Sequence, residues 1–180
     1  VQVELNPVQE KLLLEGIYER KLAMLADCFP SVGAEIFQAY ATALVPLHLA
    51  IGGRLFTPGN FLTQLYFLEE GRVRFEVFKG EENVVIGVFE EHSPLGIDSI
   101  VTGKKVAYTA VAERPTEIWF LNDSDIVTFR QEFTGFQIAL DAAGRGMAEM
   151  IEDAIASPVH EHTRASMPCS SLIVGPKGLL

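Results

Sequence analysis

The sequence predicts a mainly β protein, an antiparallel β-roll or jelly roll with helices before it and a long helix after it. Three observations point that way. Short segments rich in Val, Phe, Tyr, Leu and Ile fill the middle of the chain, and Gly, Pro or Asn clusters separate them. No helical pattern interrupts these segments, and periodicity near 3.6 residues is confined to the flanks. Strands spaced this way pair antiparallel, because a parallel pair needs a long crossover, usually a helix.

Residues 1–45 read as N-terminal helices packing on the roll. Asn6 caps the first, Pro7 takes its first position, Glu10 falls in its first turn, and Leu12, Leu13, Ile17, Leu22 and Leu25 recur at helical spacing up to Cys28-Phe29-Pro30. Ser31 is placed to cap a second helix carrying Ile36, Phe37, Tyr40 and Leu44, which closes before Pro46. The roll follows over 46–122, with strands expected at 47–51, 54–56, 64–69, 72–78, 83–89, 106–112 and 116–121. Alternation is clearest from Arg72 to Val77, and Lys79-Gly80-Glu81-Glu82 supplies a hairpin turn whose glycine accepts positive φ. Val73, Phe75, Val77, Val85, Val111, Ile118 and Phe120 are the expected core residues of the sheets.

Residues 123–157 read as a short helix starting at Asn122-Asp123-Ser124 and a longer one from about Phe136 to Ala156. Phe136, Leu140, Ala143, Met147, Met150 and Ile151 form a heptad-like stripe on the longer helix. The stripe has two readings: a lid on the roll, or a contact for a second copy eased by Ala142, Gly144 and Gly146 nearby. Residues 158–180 read as a tail.

Composition excludes several function classes. A formal net charge of -10 argues against direct nucleic-acid binding, which draws its affinity from Lys and Arg releasing counterions. The two cysteines, Cys28 and Cys169, give neither a disulfide framework nor a four-thiolate cluster, although a lone His or Cys can ligate haem. No apolar run approaches bilayer length and no secretory pattern opens the chain, so a cytoplasmic protein without a membrane partner is expected. Metal-dependent jelly-roll enzymes need a His-x-His pair on strands. Here His160-Glu161-His162 falls in the tail, while His48 and His92 stand alone and are expected in solvent. With no G-x-S-x-G, H-E-x-x-H or P-loop either, no catalytic residue, cofactor or metal ligand is assigned and an enzyme is not expected.

Several words in order resemble one family. Gly52-Gly53-Arg54-Leu55-Phe56-Thr57-Pro58-Gly59-Asn60, Leu65-Tyr66-Phe67-Leu68-Glu69-Glu70-Gly71-Arg72-Val73-Arg74-Phe75, Ile86 to Gly96, and Thr116 to Leu121 are similar to segments of the cyclic-nucleotide-binding sensor domain of the catabolite-activator and fumarate/nitrate-regulator type. The resemblance covers roughly residues 45–156. It implies a regulatory sensor, usually a homodimer, with a phosphate-binding cassette at residues 96–109. In members that bind cyclic nucleotides, a Gly-Glu pair opens a short helical turn, the Glu takes the ribose hydroxyl and an Arg neutralises the phosphate.

The cassette departs from that pattern. Gly96 is present, but Ile97 stands at the Glu position with Asp98 and Ser99 behind it. The family's Arg-Ala-Ala-Thr-Val word reads Val106-Ala107-Tyr108-Thr109-Ala110, which places Val106 on the phosphate arginine. Lys104 and Lys105 lie just before, and an ammonium does not reproduce the planar guanidinium fork. Removing one partner of a buried ion pair costs roughly 3–5 kcal/mol, or two to four powers of ten in affinity. The expectation is a regulatory domain with weak or no cyclic-nucleotide binding and no cofactor. Two alternatives remain: a genuine cyclic AMP, cyclic GMP or other small-ligand sensor cut from its DNA-binding module, and a pure dimerisation scaffold. The residues after Ala156 are too few for a helix-turn-helix, so none is expected in this chain.

Overall fold

The computed structural model describes residues 5–157. The order is α1 (Pro7–Cys28), α2 (Ala34–Ala43), β1 (Val45–Leu49), β2 (Arg54–Phe56), β3 (Gln64–Glu70), β4 (Val73–Lys79), β5 (Glu82–Phe89), β6 (Ser93–Leu95), α3 (Ile97–Thr102), β7 (Thr109–Ala112), β8 (Thr116–Asn122), α4 (Asp123–Glu132) and α5 (Thr134–Ala156). The strands form two four-stranded sheets, ordered β1-β8-β3-β6 and β2-β7-β4-β5. All neighbouring strands pair antiparallel, so the predicted roll is the observed one. No described helix is long and apolar enough to cross a membrane.

The helices cover the outside of the first sheet. That is why Leu65, Tyr66, Phe67 and Leu68 in β3 are all buried: a strand enclosed on both faces reads as a continuous apolar run. Phe29, just after α1, meets Phe67 edge-on at 6.1 Å and Phe136 of α5 at 5.5 Å, tying the flanking helices to this strand. In the second sheet β4 has one buried face, hence the clean alternation of Val73, Phe75 and Val77.

Several expectations need correction. β6 was not expected; it is a three-residue strand on the edge of the first sheet. The expected strand 106–112 begins only at Thr109, because Val106 is drawn into backbone hydrogen bonds with Gly59 and Asn60 instead. Ser31 does not cap α2, whose cap is Gly33. Val85 is 39% exposed, because a bulge between Phe75 and Glu76 shifts the β4–β5 register and turns Val84 inward in its place. Phe120 is only half-buried, in ring contact with Tyr66. α1 keeps its cap, with the Asn6 side chain accepting from Val8 and Gln9, but only Met24, Leu25 and Cys28 on it are buried.

The stripe on α5 turns inward. Phe136, Leu140, Met147 and Ile151 are buried within the single chain, while Ala143 and Met150 are half-buried, so most of the stripe packs as a lid on the roll. The heptad spacing is real, but a lid and a coiled-coil seam share it. Gly144 sits on the same side, where a Cβ would run into Val101 of α3 and lie 2.9 Å from the Ile97 carbonyl.

Candidate functional site

The cassette is built between two left-handed glycines. Gly96 (φ 75°) ends β6 and opens α3, and Gly103 (φ 66°) closes α3 with its N–H donating to the Ser99 carbonyl at 2.9 Å. At Gly96 a side chain would also strike Leu62, and Phe56 lies 3.3 Å from where its Cβ would be. The loop before β3 therefore folds over the start of α3. That loop is stitched to the cassette's return segment, since Gly59 donates to the Val106 carbonyl and Val106 donates to the Asn60 carbonyl, each at 2.9 Å.

The expected site residues fall into two groups. Ile97 and Val106 are buried, at 0% and 2% exposure, with Asp98 and Ser99 buried beside them. Lys104, Lys105 and Ala107 are exposed, and Thr109 is half-buried at the start of β7. Neither lysine enters the interior. The Lys104 ammonium lies 3.1 Å from Glu152 of α5, and that of Lys105 sits 5.2 Å over the Phe61 ring. The Ser99 hydroxyl donates to the Lys104 carbonyl and closes the loop on itself.

Tyr108 is the residue sequence reasoning passed over. Fully buried, it stacks on Phe75 at 4.3 Å and meets the Phe56 ring edge-on at 5.6 Å, so aromatic side chains pack the roll beside α3. Its hydroxyl donates to Asp98 Oδ1 at 2.6 Å. The available signal was a tyrosine where the family's word has alanine.

Burial pushes the Asp98 carboxyl above its usual range, against the opposing hydrogen bonds from the Tyr108 hydroxyl and the Ser99 backbone. Burial, then the neighbouring Asp98, push the Tyr108 phenol well above its own range, so it remains the donor. The Asp98 carboxyl is thus engaged within the chain by the Tyr108 hydroxyl.

Elsewhere, His48 Nδ1 contacts Glu117 at 2.7 Å and the His92 ring contacts Asp27, so both single histidines face carboxylates. Among the described residues no group of three or more His, Cys, Asp or Glu is placed to hold a metal ion. The His160-x-His162 pair, Cys169 and the tail lie outside the described residues.

Comparison with known proteins agrees with this geometry. Residues 46–133 match the family model described as the cyclic nucleotide-binding domain. The chain is 32% identical over 91 residues to the global nitrogen regulator of Nostoc sp. strain PCC 7120, a match spanning 47% of this chain and 41% of that protein. The chain thus spans about two fifths of the length of that curated relative. Among solved structures it resembles the catabolite activator protein of Thermus thermophilus, with TM-score 0.61 and 18% identity over 72% of this chain and 60% of that one. It also resembles the sensor domain of the transcriptional regulator DNR of Pseudomonas aeruginosa, with TM-score 0.59 and 18% identity over 77% of this chain and 94% of that one.

Proposed function

We propose that this chain, whose residues 46–133 match the family model of the cyclic nucleotide-binding domain, is a regulatory domain whose cassette binds cyclic nucleotides weakly or not at all. One observation carries the reading. The positions that the resemblance gives to the ribose glutamate and the phosphate arginine hold Ile97 and Val106, both in the core. A cyclic phosphate brought there would lose its water and find an apolar wall, a cost of several kcal/mol for an unpaired anion.

The backbone shape survives for a separate reason. Gly96, Gly103 and the pairing of Val106 with the 59–60 segment depend on turn chemistry and main-chain hydrogen bonds, not on a ligand. Lys105, next to Val106, is the candidate to replace the arginine, and its contact with Phe61 favours a surface role. The domain then works by presenting a fixed surface to its neighbours, without an enzymatic step.

Titration calorimetry with cyclic AMP and cyclic GMP on the wild type and on Lys105→Ala tests this. The expected result is no saturable heat at micromolar ligand in either protein. Submicromolar binding by the wild type that Lys105→Ala abolishes would overturn the proposal and restore the ligand-responsive alternative.

A further inference from the structure

Two four-stranded sheets leave four edge strands, and three of them are guarded. β1 carries Pro46 and His48, β6 is three residues long with Pro94 at its centre, and β2 is three residues long with Arg54 at its start. Short length, proline and charge each keep an edge from pairing with stray chains. β5 differs. It is the longest of the four at eight residues, and residues 84–89 include neither charge nor proline. A bulge that leaves Ile86 out of the ladder is its one interruption. Among the described residues β5 makes no backbone hydrogen bond outside its ladder with β4, and Val85 and Phe78, diagonal neighbours on the outer face of this hairpin, are exposed. An uncovered apolar edge of this length is a template for another strand.

The chain itself supplies the strand. The Lys79 ammonium, which ends β4 opposite Glu82, holds the Ser157 carbonyl at 2.8 Å, so residues 158–180 leave the described domain beside the first residue of β5. They contain Cys169-Ser170-Ser171-Leu172-Ile173-Val174, a run free of charge and proline that Pro168 and Gly175-Pro176 bracket, as turn residues bracket a strand. Charge favours this occupant over a second copy. Glu81, Glu82, Glu90 and Glu91 flank β5, whereas residues 158–180 carry Arg164 and Lys177 against Glu161, and whole chains of net charge -10 repel one another.

Linker length sets the direction. Extended, residues 158–168 reach about 36 Å, enough to pass along the roughly 25 Å of β5 to its far end and return antiparallel. We infer that residues 169–174 add to β5 as an antiparallel edge strand, so that the second sheet is closed by its own chain. Burial sets the register. With Val174 opposite Val84 and Ile173 opposite Val85, both pairs lie before the bulge, Ile173 covers the exposed outer-face valine, and Val174 extends the inward row of Val77 and Val84. Lys177 then falls near Glu81. Strand addition within the chain denies the edge to other chains.

Disulfide trapping in the full-length chain tests this. In a Cys169→Ser background with Cys28 left in the core, Ile173→Cys is combined either with Val85→Cys or with Phe61→Cys, an exposed position on the loop before β3 that reports random collision. Each protein is oxidised at low micromolar concentration and the linked peptides are identified by mass spectrometry. The expected result is an intramolecular 173–85 bond formed severalfold faster than the 173–61 bond. Ser171→Pro and Leu172→Pro place the lost N–H on opposite sides of the added strand, so at least one of them should slow 173–85 to the control rate. Equal rates for the two pairs, or no slowing by either proline, would overturn the proposal. So would a 173–85 bond found only between chains, which would give the edge to a second copy. Thermal melts of each variant check that the roll is intact.

Discussion

At the scale of single residues, the cassette is marked by a buried polar pair. Asp98 and Tyr108 hydrogen-bond to each other inside the roll, and the price is a carboxyl held in an apolar setting. Its raised pKa means that, just above the ordinary carboxylate range, the folded chain keeps a proton that the unfolded chain has released. Stability from this group is therefore present at low pH and declines as pH rises through the folded pKa. Asp98→Asn removes that dependence while leaving an acceptor for the Tyr108 hydroxyl. Urea melts should show the variant gaining on the wild type as pH climbs from about 4 toward neutrality; parallel pH profiles would contradict it. Tyr108→Phe should cost about 1–3 kcal/mol at neutral pH in the same melts, because it leaves the buried carboxylate short of a donor. A loss below a few tenths of a kcal/mol would count against the pair. Ile97 and Val106 were legible as departures from a known word. Tyr108 was not, because an aromatic residue entering a strand looks like ordinary sheet-forming sequence until its ring is seen stacked inside.

Elements were legible where one face alone is buried. Arg72 to Val77 alternates and is half-buried; α1 announces itself through Asn6 and Pro7. The same reasoning failed at Val85, since a bulge flips the register without changing residue types; at the α5 stripe it left two readings open, since periodicity marks the buried side but not what buries it. Two contacts that fix α5 were invisible for the same reason, being made between elements distant in sequence. The Lys79 ammonium, from the β4–β5 hairpin, donates to the carbonyls of Ala154 and Ser157 at 3.0 and 2.8 Å. It supplies the cation that the last turn of α5 lacks. Gly144 lets α5 lie directly on α3. Gly144→Ala should thus destabilise by about 1–3 kcal/mol despite the gain in helix propensity, because the added methyl meets Val101 and the Ile97 carbonyl. Thermal melts read this, and an unchanged or raised Tm would show that the two helices give way freely.

Over the whole molecule, the roll, the flanking helices and the long final helix were all readable from apolar patterning, because burial of apolar residues decides where each element packs. What patterning does not carry is whether the interior leaves room for a ligand. That depends on a few side chains, Phe56, Phe75 and Tyr108, meeting across three different strands or their approaches. The central claim is that a cassette of intact backbone shape has lost its ligand-reading groups to the core. Amide chemical shifts of Gly96 to Thr109, followed by NMR as cyclic AMP is raised to millimolar concentration, test it most directly. The account predicts a well-dispersed, single set of cassette resonances that stay where they are. Saturating shifts centred on Gly96, Ile97 and Val106 at submillimolar ligand would contradict it.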